Sequence, residues 1–181
     1  MTTALLVIDI QRDYFDGGAM QLPGAEAAGA QAARVLRSCR DGNRFVVHLQ
    51  HIWDAPEATF MIPGTSGVEI HPDVVPVDGE PLLTKELPNG FIGTELETVL
   101  RARGVAELTI VGMMSNMCVD ATARAASDLG FEVTVVHDAC AAADLEFADV
   151  SVPAAQVQAA FMAALDDAYA TVVSADEYLD S

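Results

Sequence analysis

Short apolar runs alternate along this chain with segments whose apolar positions recur every three or four residues. The runs are Leu5-Leu6-Val7-Ile8, Phe45-Val46-Val47-His48-Leu49, Leu108-Thr109-Ile110-Val111, Val133-Thr134-Val135-Val136 and Thr171-Val172-Val173, with a shorter Leu82-Leu83-Thr84. Runs this short and this apolar suit strands buried on both faces. Between the first two, Ala28, Ala32, Val35, Leu36 and Cys39 mark a helix within residues 23–40, stopped at Asp41-Gly42. Thr94 with Glu97 three residues on predicts a capping box for a helix through Leu96, Val99 and Leu100 to Gly104. Val119, Thr122, Ala123, Ala126 and Leu129 define another helix, ended by Gly130, and Pro153 opens one carrying Val157, Phe161, Ala164, Leu165 and Ala168.

Strands alternating with helices in this way predict a three-layer α/β/α domain, doubly wound around a mostly parallel sheet of about six strands. With no repeat and no linker-like shift in composition, residues 1–181 read as a single domain. Residues 51–81 differ: rich in Pro, Gly and His and weakly periodic, they predict a long connection roofing a site.

Composition narrows the function. Half the residues are apolar (51%) against 20% charged, so the chain folds. Nine basic and 27 acidic residues give a net charge of −18, which repels nucleic acid and anionic membranes and leaves a small molecule as the expected partner. Asp9, Asp120 and Asp166-Asp167 interrupt every stretch that could span a bilayer, and Met1-Thr2-Thr3 leads into a strand without an export signal. Three cysteines without a C-x-x-C pair suit a reducing, cytoplasmic setting.

Ligands of open parallel sheets bind beyond the carboxyl ends of the strands. Asp9 directly follows the first strand, Lys85 follows the run 82–84, and Cys118 follows the run 108–111 through Gly112-Met113-Met114-Ser115-Asn116-Met117. An acid, an amine and a thiol on one edge are what covalent catalysis at a carbonyl needs. At the start of a helix and beside a cation, Cys118 is expected to favour its thiolate. Cys39, on a helix core face, and Cys140, in Asp138-Ala139-Cys140-Ala141, read as small buried hydrophobes. Lys85 is the sole lysine of a chain that otherwise uses arginine, and an ammonium, unlike a guanidinium, can lose its proton in a buried site.

Other signals are weaker. Gln11 stands where an aspartyl nucleophile wants a second aspartate. Val68 spoils the nucleophile-elbow spacing of Gly64-Thr65-Ser66-Gly67, and no phosphate or dinucleotide loop is present. His48, His51, His71 and His137 read as structural rather than as metal ligands, with His51 within reach of a pocket.

The segments Leu6-Val7-Ile8-Asp9-Ile10-Gln11, Thr84-Lys85, Asn89-Gly90-Phe91-Ile92-Gly93-Thr94 and Val111-Gly112-Met113-Met114-Ser115-Asn116-Met117-Cys118-Val119 together resemble the isochorismatase-like cysteine hydrolases. That family includes nicotinamidases, N-carbamoylsarcosine amidases and streptothricin-type cyclic-amide hydrolases. The resemblance runs from Leu5 to about Val173 and implies an Asp9–Lys85–Cys118 triad. Asp9 would take the thiol proton and return it to the leaving amine, Lys85 would steady the thiolate and orient Asp9, and Cys118 would form a thioester. It also implies a cis peptide at Met113–Met114, aiming the Met114 amide, with that of Cys118, at the oxyanion.

Departures from the family pattern refine this. The Asp-x-His metal pair of nicotinamidases is missing around Leu49-Gln50-His51-Ile52, so neither metal nor other cofactor is expected. The enzymes that cleave isochorismate lack the cysteine that is present here, which favours a small amide or cyclic amide as substrate. Asn116 replaces a histidine of the streptothricin-hydrolase-like group and is expected, with Gln11, Phe15, Trp53, Phe60 and Phe91, to shape the pocket. The resemblance further implies a homodimer or homotetramer. Isochorismatase-type or nicotinamidase-type hydrolysis, or a non-catalytic binding protein on the same scaffold, are the alternatives.

Overall fold

The computed structural model describes residues 2–180. Its main sheet contains β1 (Thr2–Ile8), β2 (Phe45–His51), β3 (Leu82–Lys85), β4 (Val105–Met113), β5 (Glu132–Ala141) and, after a hairpin of β6 (Leu145–Phe147) and β7 (Val150–Val152), β8 (Thr171–Val173). The strand order is β3-β2-β1-β4-β5-β8 and every pairing in it is parallel. This is the expected doubly wound α/β sheet of six strands.

Alternation along β1 sorts the core onto two faces. Leu5 and Val7 join one cluster with Ala28, Val35 and Leu36 of α1 (Ala25–Asp41) and Ala175 of α5 (Ala175–Leu179). Ala4, Leu6 and Ile8 join the other, with Leu96 and Leu100 of α2 (Leu96–Ala102), Ala123 and Ala126 of α3 (Asp120–Asp128), and Met162 and Leu165 of α4 (Ala154–Ala168). No helix among the described residues is long and apolar enough to cross a membrane.

Local details depart from the pattern. The capping box expected at Thr94 does not form: Thr94 Oγ1 donates to the Gly90 carbonyl and accepts from Leu96 N, while Glu97 makes no return bond. A true capping box opens α5 instead, from Ser174 and Glu177. Cys118 does not open α3; it lies in a turn of π-helix, Ser115–Val119, inserted before it. Cys140 lies within β5 rather than after it.

The chain reverses direction across the sheet between β1 and β4, whose neighbours lie on opposite sides. A crevice therefore opens at their carboxyl ends. Asp9 and the turn 114–119 border that crevice.

Candidate active site

The backbone builds the site at close quarters. Asp9 leaves β1 in the left-handed region (φ 49°), which aspartate tolerates better than most residues. Its N–H donates to the Leu49 carbonyl at 3.1 Å, and its own carbonyl accepts from Gln11 N at 3.0 Å. Next to it β4 passes so close to β1 that a Cβ on Gly112, whose φ is 142°, would collide with the Ile8 carbonyl oxygen. Beyond Gly112 come the cis peptide Met113–Met114 and the π-helical turn that carries Cys118. Ser115 in that turn donates to Gln158 Oε1, and Gln158 Nε2 donates to the His137 carbonyl at 2.8 Å, fastening the turn to α4 and β5.

Lys85, the last residue of β3, reaches into the space between Asp9 and Cys118. Its Nζ lies 2.7 Å from Asp9 Oδ2, 3.0 Å from the Leu87 carbonyl, 3.1 Å from His51 Nδ1 and 3.2 Å from Cys118 Sγ. The side chains of Asp9 and Lys85 are wholly buried, and Cys118 is 5% exposed. Both carboxylate oxygens of Asp9 are buried without a hydrogen bond, so Oδ2 is held by the ion pair with Lys85 alone. A ligating atom each from Asp9, His51 and Cys118 falls within 4.8 Å of the other two. Lys85 Nζ sits among these donors, so the cation this acceptor set surrounds is an ammonium.

Charge states follow from the surroundings. Burial disfavours the Lys85 ammonium, but Asp9 and Cys118 outweigh it and hold the lysine above its ordinary pKa. Burial pushes the Cys118 thiol far up and Asp9 pushes it further; Lys85 pulls it down without compensating. The resting pair is therefore Asp9 carboxylate with Lys85 ammonium, and Cys118 is a thiol rather than the thiolate expected from the sequence. The helix-start argument fails because the sulfur is buried beside a carboxylate. Burial, then the charge of Lys85, lower His51 against the opposing charges of Asp9 and Glu86, so His51 is neutral.

The other predicted residues fall into two groups. Gln11 is fully buried and bonded to backbone: its Nε2 donates to the carbonyls of His51 and Val68, and its Oε1 accepts from His51 N. Phe15 stacks on His71 with centroids 3.8 Å apart and lies against Gly29 of α1. Phe91 stacks on Phe131 within the core. These three hold structure together. Trp53 and Phe60 meet edge to face at 5.4 Å in the long connection, and Phe60 also meets Tyr14 at 6.0 Å. Asn116 Oδ1, in the turn that carries Cys118, is buried without a partner. Cys39 contacts the Tyr178 hydroxyl and Cys140 the Val136 carbonyl, each at 3.4 Å and away from Lys85.

Sequence reasoning passed over Asp13 and Tyr14 and undervalued His51. Asp13 Oδ2 accepts from Met61 N at 2.6 Å and Oδ1 from Ala19 N at 3.1 Å. Gly67 leaves room for that carboxylate, which explains a glycine that only imitated a nucleophile motif. Tyr14 is buried; its hydroxyl pKa is raised by burial and then by the charges of Cys118, Asp9 and Asp13. His51 faces Lys85 through the β2–β3 register, which pairs the two residues. A histidine ending a strand was the one visible signal for it.

Two cavities bracket the sheet. One of about 280 Å³, lined by Thr84, Lys85, Glu86, Leu87, Ile92 and Gly93, adjoins the cluster at the carboxyl edge. Another, about 840 Å³, lies at the opposite edge among Thr2, Phe45, Glu132 and Thr171, remote from the acid, amine and thiol.

Comparison with known proteins agrees with this fold. The isochorismatase domain profile matches residues 3–177. The isochorismatase family protein YddQ of Bacillus subtilis is 48% identical over 179 residues, 99% of each chain. Streptothricin hydrolase of Streptomyces noursei is 40% identical over 167 residues, 91% of this chain and 59% of that protein. The ureidoacrylate amidohydrolase RutB of Caulobacter vibrioides is 30% identical, covering 81% of this chain and 80% of its own. A crystal structure of an isochorismatase-family hydrolase from Oleispira antarctica superposes with a TM-score of 0.95 at 49% identity, over 99% of this chain and 97% of that one. The chain belongs to the isochorismatase family of hydrolases, which has amidohydrolases among its members.

Proposed function

We propose that this protein hydrolyses the C–N bond of a small amide or cyclic amide through a thioester on Cys118. The observation that carries this is the buried Asp9–Lys85–Cys118 cluster, in which a carboxylate with an unpartnered oxygen lies within 4.8 Å of the sulfur. The streptothricin hydrolase and amidohydrolase relatives support the choice of an amide.

In this mechanism Asp9 removes the thiol proton as Sγ attacks the carbonyl carbon. The Met114 and Cys118 amides receive the oxyanion, and the Lys85 ammonium offsets the charge arriving at sulfur. When the C–N bond breaks, the amine leaves with the proton held by Asp9. Water then attacks the thioester and gives a proton to Asp9; collapse of the second intermediate releases the acid, and the sulfur regains its proton from Asp9. Trp53 and Phe60 of the long connection, and Asn116 of the turn, are the residues this reading assigns to the substrate pocket.

The test is product release from a panel of linear amides, cyclic amides, nicotinamide and isochorismate. A linear or cyclic amide is the expected substrate, and Cys118→Ala is expected to lose turnover of it at least about a thousandfold while keeping its fold by circular dichroism. Ammonia or amine release unchanged in that variant rules out the thioester. Turnover of isochorismate alone would move the protein to the other chemistry of its family.

A further inference from the structure

The buried cluster brings little net charge of its own, since the Asp9 carboxylate is matched by the Lys85 ammonium at 2.7 Å. The charge a substrate meets is set by the connections around it. Those leaving the carboxyl ends of β1 to β5 are residues 10–24, 52–71, 86–95, 114–119 and 142–153; the second turns back where His71 N donates to the Ile10 carbonyl. Together they hold ten acidic residues and one basic residue, Arg12, which is itself paired with Glu69 at 3.4 Å. All ten are exposed except Asp13, whose carboxylate is bonded to backbone N–H groups. Arginine gathers at the other edge instead. Arg40 and Arg101 lie in the last turns of α1 and α2, and Arg44 and Arg103 line the cavity of about 840 Å³. We propose that the site takes an amide bearing a positive charge, an ammonium or a guanidinium, and that the acidic rim selects it. The proposal deepens the hydrolase reading given above and rests on it.

The interior, independently of the rim, calls for a ligand rich in donors. A buried acceptor left without a donor is costly, and native structures leave few of them. Among the described residues, those left without one include both oxygens of Asp9 and Oδ1 of Asn116, in the turn that carries Cys118. A cationic nitrogen brings N–H donors, whereas a carboxylate brings only further acceptors. The cavity of about 280 Å³ beside the cluster joins interior to rim: Lys85 lines it together with Glu86, whose exposed carboxylate has no cationic partner among the described residues.

A cleft bordered by one sign of charge concentrates the opposite ion and speeds its arrival by about ten- to a thousandfold at low salt. The same field turns away an anionic amide of equal size. Selection by charge therefore acts on arrival, ahead of any contact with Cys118.

One test needs no turnover. Cys118 of the wild type is modified with 2-aminoethyl and 2-sulfonatoethyl methanethiosulfonate, one cationic and one anionic, and followed by peptide mass spectrometry. Each rate is divided by that of the same reagent with mercaptoethanol. The cationic reagent is expected to lead by at least about tenfold at about 10 mM ionic strength and by less than about twofold at about 0.5 M. Asp54→Asn/Glu57→Gln/Glu86→Gln, with its fold checked by circular dichroism, is expected to lower the low-salt ratio at least about threefold. Asp128→Asn/Glu132→Gln/Asp167→Asn, which changes net charge equally at the far edge, is expected to stay within about 1.5-fold of wild type. A wild-type ratio at or below one, or equal losses in the two variants, overturns the proposal. The second test compares 4-aminobutanamide, pentanamide and succinamate, amides of similar size that are cationic, neutral and anionic. Their kcat/KM is expected to fall in that order, with at least about tenfold between first and last; an order led by pentanamide or succinamate overturns the proposal. Failure of the hydrolase reading is recognised separately, by Cys118→Ala keeping wild-type turnover while the thiosulfonate ratio stands as found.

Discussion

At Cys118 burial and Asp9 act against Lys85 over one sulfur, and burial beside a carboxylate wins. In the proposed reaction the thiolate is thus made on demand rather than stored. The thiolate absorbance near 240 nm that Cys118→Ala would subtract is expected to be absent at pH 8; finding it there would contradict the resting assignment. Close by, Gly112 carries a steric demand of its own. Gly112→Ala puts a Cβ into the Ile8 carbonyl at a φ of 142°, and is expected to cost about 4 kcal/mol or more, read as lost soluble yield or a large drop in denaturant midpoint. At this scale the sequence was most informative where residues sit at strand ends. Asp9 and Lys85 were legible because a strand's end predicts its place. His51 was not, because its role depends on a register between two strands that no local pattern records. The protonation of Cys118 was also misjudged, since it depends on burial and a neighbour over a hundred residues away in the chain.

Among elements, the connection between β2 and β3 shows how a segment without periodicity is ordered. Beside the buried side chains of Met61 and Val74, polar anchors hold it: Asp13 on Met61 N, Gln11 on Val68 O, and Arg40 paired with Glu80 at 2.7 Å. Asp13→Ala leaves two backbone donors short of a partner and is expected to cost about 2–4 kcal/mol, measured by chemical denaturation. A loss below about 0.5 kcal/mol would show that water replaces the carboxylate. The strands and long helices of the sheet were readable because burial on two faces imposes apolar runs and helical periods. The hairpin β6–β7 was missed because its residues are largely exposed, Phe147 at 84%, so no alternation marks it. The capping box assigned to Thr94 has the right letters, but Thr94 is turned toward the Gly90 carbonyl.

For the molecule as a whole, acid is the informative perturbation. Burial lowers His48, and Arg40 adds to this, against Glu80, whose Oε2 lies 2.9 Å from His48 Nε2. Burial would raise Glu80, but hydrogen bonds from Arg40, Val77 N–H and His48 bring it down to about 2. A histidine held below its unfolded pKa contributes stability that is full above about pH 6.5 and erodes as pH falls below it. A carboxylate held below its unfolded value contributes stability present above about pH 4.5 and lost as pH falls toward 2. The melting temperature is therefore expected to decline in two stages, below about pH 6.5 and again below about pH 4.5, with His48→Gln shallower in the first. A flat profile from pH 7 to 5 would contradict the burial of His48 and His51 as neutral rings.

The acid, amine and thiol are at most 5% exposed, and the long connection that follows β2 is tied down at Asp13. In the proposed reaction a substrate reaches that sulfur only once the chain around it gives way, so admission and chemistry are separate steps governed by different residues. Weakening an anchor such as Asp13 alters how often the door opens, and replacing Cys118 alters only what happens behind it.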